Sequence, residues 1–188
     1  MVATQTHFSL EEFLAYTETL TIHSDTSYEL ENGILQEMPT ESDRNQRIAS
    51  FLFAYLLQVG LPFYRLRIGT ELAVSGTGPT VRVPDLLVLS EAGASALAGA
   101  TRAIVLPEMP PPQLVIEVVS PGAQNALRDY RYKRAQYQAR GIAEYWIVDP
   151  EPEKVTVLAL MEGLYEEHVF TDTQPLSSPL LQTPQQSG

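Results

Sequence analysis

From Gln113 to Val119 the chain runs Gln-Leu-Val-Ile-Glu-Val-Val, a nearly unbroken apolar stretch with one acid, Glu117, inside it. A run of four to eight such residues is the mark of a strand covered on both faces, because a half-exposed strand would alternate apolar and polar positions. The fold must therefore supply a layer on each side of this strand. With 188 residues the chain suits one domain, and a domain of that size buries about 70% of its unfolded surface, enough to stand without covalent staples. It has none: there are no cysteines, which excludes disulfide frameworks, thiolate zinc sites and cysteine nucleophiles together.

The flanking patterns say what the layers are. Ser9-Leu-Glu-Glu12 is a capping box, so a helix starts near Ser9 and ends before Thr21. Asn32-Gly33 between Tyr28-Glu-Leu-Glu and Ile-Leu reads as a hairpin turn, with the second strand over Ile34 to Met38. Ser42 or Asp43 can cap a second helix, whose Ile48, Leu52, Tyr55 and Leu56 have helical spacing and which stops near Gly60. Strands are expected at Phe63 to Ile68, Glu71 to Ser75 and Arg82 to Leu89, followed by an Ala/Gly-rich region and a proline loop at Pro107 and Pro110 to Pro112. After the apolar strand comes a helix from about Gln124 to Arg140, closed by Gly141. Strands at Glu144 to Val148, Lys154 to Leu160 and Leu164 to Phe170 complete the pattern. The expectation is α+β with an α/β-type core: one central mixed sheet flanked by helices over residues 1–170, then a Pro/Ser/Gln-rich tail over 171–188 without a core of its own.

Composition is globular, with 44% hydrophobic and 19% charged residues. No stretch reaches the ~18 apolar residues of a membrane span, and Met1 to Leu10 lacks a secretory signal pattern, so a cytoplasmic protein is expected. Net charge is −11, which argues at first against a polyanion partner. The average hides a pattern: residues 1–40, 41–140 and 141–188 carry nets of −7, +3 and −7. Five of the twelve basic residues, Arg128, Arg131, Lys133, Arg134 and Arg140, fall within thirteen positions. A solvated helix face would show the same run, so charge leaves a nucleic-acid partner open without predicting it.

Chemistry concentrates on two acids in apolar strands. Glu117 lies in Leu-Val-Ile-Glu-Val-Val, and Asp85 follows Pro84 in Val-Arg-Val-Pro-Asp-Leu-Leu-Val-Leu. Burying a lone carboxylate costs several kcal/mol unless it is paired, protonated or bound to a metal. Two readings stand: Asp85 and Glu117 share a divalent cation, for which Mg²⁺ needs only one or two carboxylates plus water and phosphate oxygens, or each pairs with an arginine such as Arg65, Arg67 or Arg82.

Pro84-Asp85, 31 intervening residues, then Glu117 resembles the core of PD-(D/E)XK nucleases. Five pieces in order, Tyr28-Glu-Leu-Glu-Asn-Gly, Val83-Pro-Asp-Leu, Leu114-Val-Ile-Glu-Val-Val-Ser-Pro, Arg128-Asp-Tyr-Arg-Tyr-Lys-Arg-Ala-Gln-Tyr and Gly141-Ile-Ala-Glu-Tyr-Trp-Ile-Val-Asp-Pro, are similar to the narrower Uma-two family of restriction-endonuclease-like proteins. The resemblance implies a Mg²⁺- or Mn²⁺-dependent endonuclease acting on nucleic acid, DNA foremost. Asp85, Glu117 and the Val118 carbonyl would be metal ligands, with Glu29 as a third acid, direct or through water; a plain surface-strand glutamate fits Glu29 equally well. The lysine of the wider pattern, two residues past Glu117, is Val119 here. In the narrower family the lysine sits on the following helix, and Lys133 occupies that place as the third catalytic group. Asp129, Lys133, Gln136, Tyr137 and Arg140 share one helix face, so Asp129, Gln136 and Tyr137 would support the site, and Arg131, Arg134 and Arg140 would contact nucleic acid. The plain alternative for Lys133 is an exposed pair with Asp129. Asn45 stands where relatives often carry a histidine at the start of the second helix. The alternative in function is a catalytically weak or inactive nuclease fold used for binding or assembly, and a homodimer is expected in either case.

His7, His23 and His168 lack ligand spacing, Gly76-Thr-Gly-Pro lacks the lysine of a phosphate loop, and no Gly-x-Ser-x-Gly elbow occurs. Trp146 reads as core.

Overall fold

The computed structural model describes residues 7–21, 26–122, 125 and 127–182. The capping box forms as read: Ser9 and Glu12 exchange backbone-to-side-chain bonds of 2.7 and 3.1 Å at the start of α1 (Leu10–Thr21). β1 (Ser27–Glu31) and β2 (Ile34–Met38) make the expected hairpin, with Asn32 and Gly33 both at positive φ, the geometry an Asn-Gly turn supplies. Ser42 caps α2 (Asp43–Gln58), accepting from the Asn45 N–H.

The chain belongs to the α+β class as a single domain, but the strands divide between two mixed sheets rather than one. The first has the order β2-β1-β5-β4-β7, with β4 (Glu71–Val74), β5 (Thr80–Arg82) and β7 (Ile104–Val105). The second runs β11-β10-β9-β8-β6-β3, with β3 (Leu66–Arg67), β6 (Leu86–Val88), β8 (Leu114–Val118), β9 (Glu144–Asp149), β10 (Lys154–Met161) and β11 (Leu164–Thr171). The division falls at Pro84. A strand expected from Arg82 to Leu89 is two strands, β5 in one sheet and β6 in the other. Proline has no N–H for a central ladder, and the chain changes sheet where the ladder must break.

β8 is covered on both faces. Leu114 and Ile116 join a core with Leu56, Leu86, Val88, Trp146 and Val157, under α2. Val115 and Val119 join another with Leu72, Leu87, Leu89, Tyr137, Tyr145 and Ile147, between the second sheet, the first sheet and a helix. That helix connects β8 to β9, which pair in parallel, as a crossover unit requires. It is not uniform: Arg128–Lys133 winds as a π-helix and Arg134–Arg140 as α4, capped by Gly141 in the left-handed region. Gln124, expected as its first residue, lies outside the described residues.

Three further differences appear. Phe63–Arg65 is a 3₁₀ turn before the two-residue β3, so little of the expected strand over 63–68 is strand. The Ala/Gly-rich stretch contains a short helix, α3 (Glu91–Leu97), capped by Ser90. The C-terminal stretch, expected to lack a core of its own, packs on the domain's core as far as Gln182: α5 (Pro179–Gln182) brings Leu180 and Leu181, with Leu176, onto the residues around Trp146. Buried Glu144 ties it down by accepting from Ser178 Oγ (2.7 Å), the Leu180 N–H and Trp146 Nε1 (3.0 Å).

Candidate active site

The β6–β8 register pairs Leu86 with Ile116 and Leu87 with Val115. Continuing it by one pair sets Asp85 opposite Glu117, on the face that carries Leu87 and Val115 rather than the α2 face. Because β6 begins only after Pro84, Asp85 sits at the mouth of the ladder, and its Oδ2 accepts the Val118 N–H at 2.7 Å. Asp85 opens onto a cleft of about 860 Å³ between the hairpin, the loop before α2 and α2 itself. Glu117 lies behind it, only 4% exposed.

The crossover helix lies across this face. Lys133 is 3% exposed, and its Nζ is 2.7 Å from Glu117 Oε2 and 3.2 Å from Asp129 Oδ1. One turn further, the Tyr137 hydroxyl donates to Glu117 Oε1 at 2.5 Å, its ring set edge-on to Tyr145. Tyr145 in turn donates to the Asp129 carbonyl at 3.1 Å. The π-helical turn thus carries Asp129 and Lys133 directly over the two strand acids, and widened turns of this kind cluster at functional sites.

Two carboxylates, Glu117 and Asp129, pair with the Lys133 ammonium, and Asp85 lies near enough to feel its charge. Burial pushes the Asp85 carboxyl up to about 6, opposed by the Val118 N–H and by Lys133. Burial likewise pushes Glu117 up, against the pull of Lys133 and with the repulsion of Asp129 and Asp85 added. For Lys133, burial acts downward, but Glu117 and Asp129 more than offset it and hold the amine charged. Tyr137 is raised well above its ordinary range by burial and by Glu117, so its hydroxyl stays a donor.

The arginine alternative is not what the strand acids adopt. Arg82, fully buried, pairs instead with Glu29 (2.9 Å) and Glu31 (2.9 Å), and its Nε donates to Gln136 at 3.0 Å. Arg65 binds the Leu89 carbonyl, Gln113 and Glu91, and Arg67 the Leu66 carbonyl. Glu29, expected either as a third acid at the metal or as a surface-strand glutamate, is 1% exposed and engaged at both carboxylate oxygens. Its Oε2 is taken by Arg82 and its Oε1 by the Val83 N–H at 3.0 Å, because a fully buried guanidinium demands a counter-ion. Burial acts to raise Glu29, but Lys133 and Arg82 together hold its carboxyl below the usual range. Gln136 supports Arg82 rather than the acids.

The basic residues assigned to nucleic acid also separate. Arg131 is exposed. Arg134 pairs with Glu167 on β11 at 2.5 Å, three strands from β8 in the sheet order. Arg140 donates to the Leu106 and Met109 carbonyls at 2.9 and 2.7 Å, fastening the helix to the proline loop. Both are structural ties away from the cleft. Among the described residues the cleft wall carries Glu37, Glu41 and Asp85 and no Lys or Arg.

Asn45 contributes where only a departure from the family pattern had been noted. Buried on α2, its Nδ2 lies 3.3 Å from both the Val118 carbonyl and Ser120 Oγ. The signal was present: Asn45, Ala49, Leu52 and Leu56 share a helix face, so Asn45 is a polar residue in an otherwise apolar stripe.

The donor set suits a hard divalent cation. One ammonium faces acids that burial pushes toward their protonated forms, Asp85 and Glu117, and a cation bound there would favour their charged forms. Two acids plus a backbone carbonyl would hold Mg²⁺ with water completing its shell. Among the described residues no group of three or more His, Cys, Asp or Glu is placed to hold a metal ion, so any ion here would rest on two acids, a carbonyl and water. No helix among them is long and apolar enough to cross a membrane.

Comparison with known proteins agrees on the fold. A crystal structure of a protein from Anabaena variabilis ATCC 29413, described as "a putative nuclease belonging to DUF820", is similar with a TM-score of 0.65 over 93% of this chain and 90% of that one, at 18% identity. No curated protein matches the chain. The model of the Uma2 family, described as "Putative restriction endonuclease", matches residues 10–186, nearly the full length, and the chain belongs to that family.

Proposed function

We propose that the chain is a nuclease that hydrolyses phosphodiester bonds, DNA before RNA, at the Asp85–Glu117–Lys133 cluster with Mg²⁺ or Mn²⁺. The observation that carries this reading is Lys133: a buried amine 2.7 Å from Glu117, whose cross-strand neighbour Asp85 faces an open cleft. Asp85, Glu117 and the Val118 carbonyl would hold the metal, with Asn45 bracing that carbonyl. The metal when bound supplies Lewis acidity at the scissile phosphate and lowers the pKa of water. Lys133 keeps its proton and offers positive charge where the phosphate gains negative charge. Tyr137, also protonated, fixes the Glu117 carboxylate in one orientation, and Asp129 orients Lys133. Assembly as a homodimer belongs to the same reading.

One observation favours a second reading, a nuclease fold with weak or no catalysis that serves in binding or assembly: the cleft mouth is lined by acids and no bases. A cleavage assay with Mn²⁺ on duplex DNA, single-stranded DNA and RNA decides between them. The first reading expects cleavage that EDTA and Asp85→Ala both abolish. Activity surviving Asp85→Ala would refute the site, and no cleavage of any substrate would favour the second reading.

A further inference from the structure

From Arg44 to Thr70 the chain carries four arginines and no Asp, Glu or Lys, although 23 acids are spread over the rest. This run contains the main cluster of exposed aromatic side chains. On α2, Phe51 is 68% and Tyr55 39% exposed, their rings stacked at 6.5 Å with planes 16° apart. Val59, its N–H bonded to the Tyr55 carbonyl, is also exposed. Phe63 (74%) and Tyr64 (42%) follow in mutual edge contact, four residues on, at most about 14 Å of chain. Rich in Phe, Tyr and Arg and depleted in Lys, Glu and Asp, the surface has the composition of a protein–protein interface core. At 150–250 Å² per aromatic side chain, these five residues present roughly 500 Å² of apolar surface. About half of that lies on α2 and its C-cap, in Phe51, Tyr55 and Val59, which is a sizeable part of the apolar share, about 65%, of the roughly 800 Å² each partner contributes to a standard interface.

We propose that this face of α2 binds a second copy of the chain across a two-fold axis centred on Phe51. The stripe is complementary to itself. Arg47, exposed, lies four residues before Phe51, and Tyr55 four after, on the same side of the helix. Two α2 helices crossing antiparallel on that axis place Phe51 against its symmetry mate. They also set Arg47 of each copy over Tyr55 of the other, a reciprocal cation–π contact of the kind an isologous interface repeats twice. Charge selects the same face. Each copy carries −11, and α2 from Arg44 onward brings no acid to the contact, while Glu91 at the edge of the patch is held by the Tyr64 hydroxyl at 3.0 Å and by Arg65 at 3.4 Å. A nucleic-acid strand stacked on the two rings is the competing occupant, but it accounts for neither the symmetry of the stripe nor the apolar residues beyond it.

The absence of native cysteines makes the test direct, because Phe51→Cys introduces the sole thiol. Under mild oxidation the full-length Phe51→Cys variant is expected to form a disulfide-linked dimer. Leu164→Cys, at an equally exposed site on β11, should not. In sedimentation velocity at tens of micromolar the wild type runs as a dimer. Phe51→Glu, with an unchanged thermal melt, weakens association by about 100-fold, as expected for a central aromatic anchor. A monomeric wild type, a dimer indifferent to Phe51→Glu, or equal cross-linking by Leu164→Cys overturns the proposal. So does a Phe51→Glu variant that keeps its oligomeric state but loses retention of a labelled single-stranded oligonucleotide, which would assign the face to nucleic acid. This inference rests on the homodimer of the proposed function and gives it an interface, but none of these readouts uses catalysis, so the interface and the cleavage chemistry fail separately.

Discussion

Lys133 and the acids around it set the electrostatics of the site, and their burial makes each one expensive to remove. Replacing Lys133 by Met strands Glu117 and Asp129 without a cation, at a cost of about 3–5 kcal/mol for a broken buried pair. Urea unfolding in EDTA should show that loss, and Mn²⁺ should stabilise the variant more than it stabilises the wild type, since the ion replaces the missing charge. A loss under about 1 kcal/mol would mean that the pair is not held as the distances imply. Asp85 gives the pH signature. Its carboxyl, pushed up to about 6 by burial, exceeds the ~3.9 of an unfolded chain, so between those values the folded state binds more protons. Stability then falls as pH rises through that window, by at most about 3 kcal/mol. Measured without metal, wild type relative to Asp85→Asn should lose that much between pH 4 and pH 7. Glu29, held low by Lys133 and Arg82 against its burial, acts in the opposite sense and loses its contribution as pH drops. Parallel curves for the two proteins would show that Asp85 is not buried as described. Among these residues the sequence alone exposed the acids, through their apolar neighbours, but not who their partners are. Arg82 and Lys133 were both candidates for the buried carboxylates, and only the packing of the helix over β8 assigns Lys133 to Glu117 and Arg82 to Glu29.

Elements with their own chemical punctuation were legible in advance. Ser9-x-x-Glu12, Asn32-Gly33, Ser42 and Gly141 each mark a boundary that the structure keeps. The misreadings share a cause, which is that tertiary contacts decide short segments. β3 and β7 are two residues long, α3 is an Ala/Gly sequence whose helix depends on the Ser90 cap and on packing, and Pro84 hands one apolar run to two sheets. The π-helical turn has no sequence signature at all. The C-terminal stretch looked coreless by composition, yet Leu176, Leu180 and Leu181 cover the Trp146 core and Ser178 satisfies Glu144. Ending the chain at Thr173 removes that cover and leaves the Glu144 carboxylate short of two donors. The expected loss is about 2–5 kcal/mol in urea unfolding; an unchanged midpoint would mean that the segment does not dock.

At the scale of the whole molecule, the charge of −11 and the base-free cleft wall limit how a polyanion is held. Arg134 and Arg140 are committed to internal ties, so few phosphates are neutralised directly. The dependence of oligonucleotide affinity on salt should therefore be shallow, with a log–log slope of about −3 or weaker, against the −6 to −9 of a protein gripping many phosphates. A steep slope would point to a basic surface that a dimer assembles and one chain lacks. The fold's larger logic is that a strand switching sheets at Pro84 and a crossover helix over β8 bring together residues from four segments: Asn45, Asp85, Glu117 and Lys133. Whether that gathering is a metal site is tested most directly by calorimetric titration of Mn²⁺ into the wild type and into the Asp85→Ala, Glu117→Ala double variant. The account predicts one saturable site in the wild type and none in the variant. Equal binding by both, or none by the folded wild type, would contradict it.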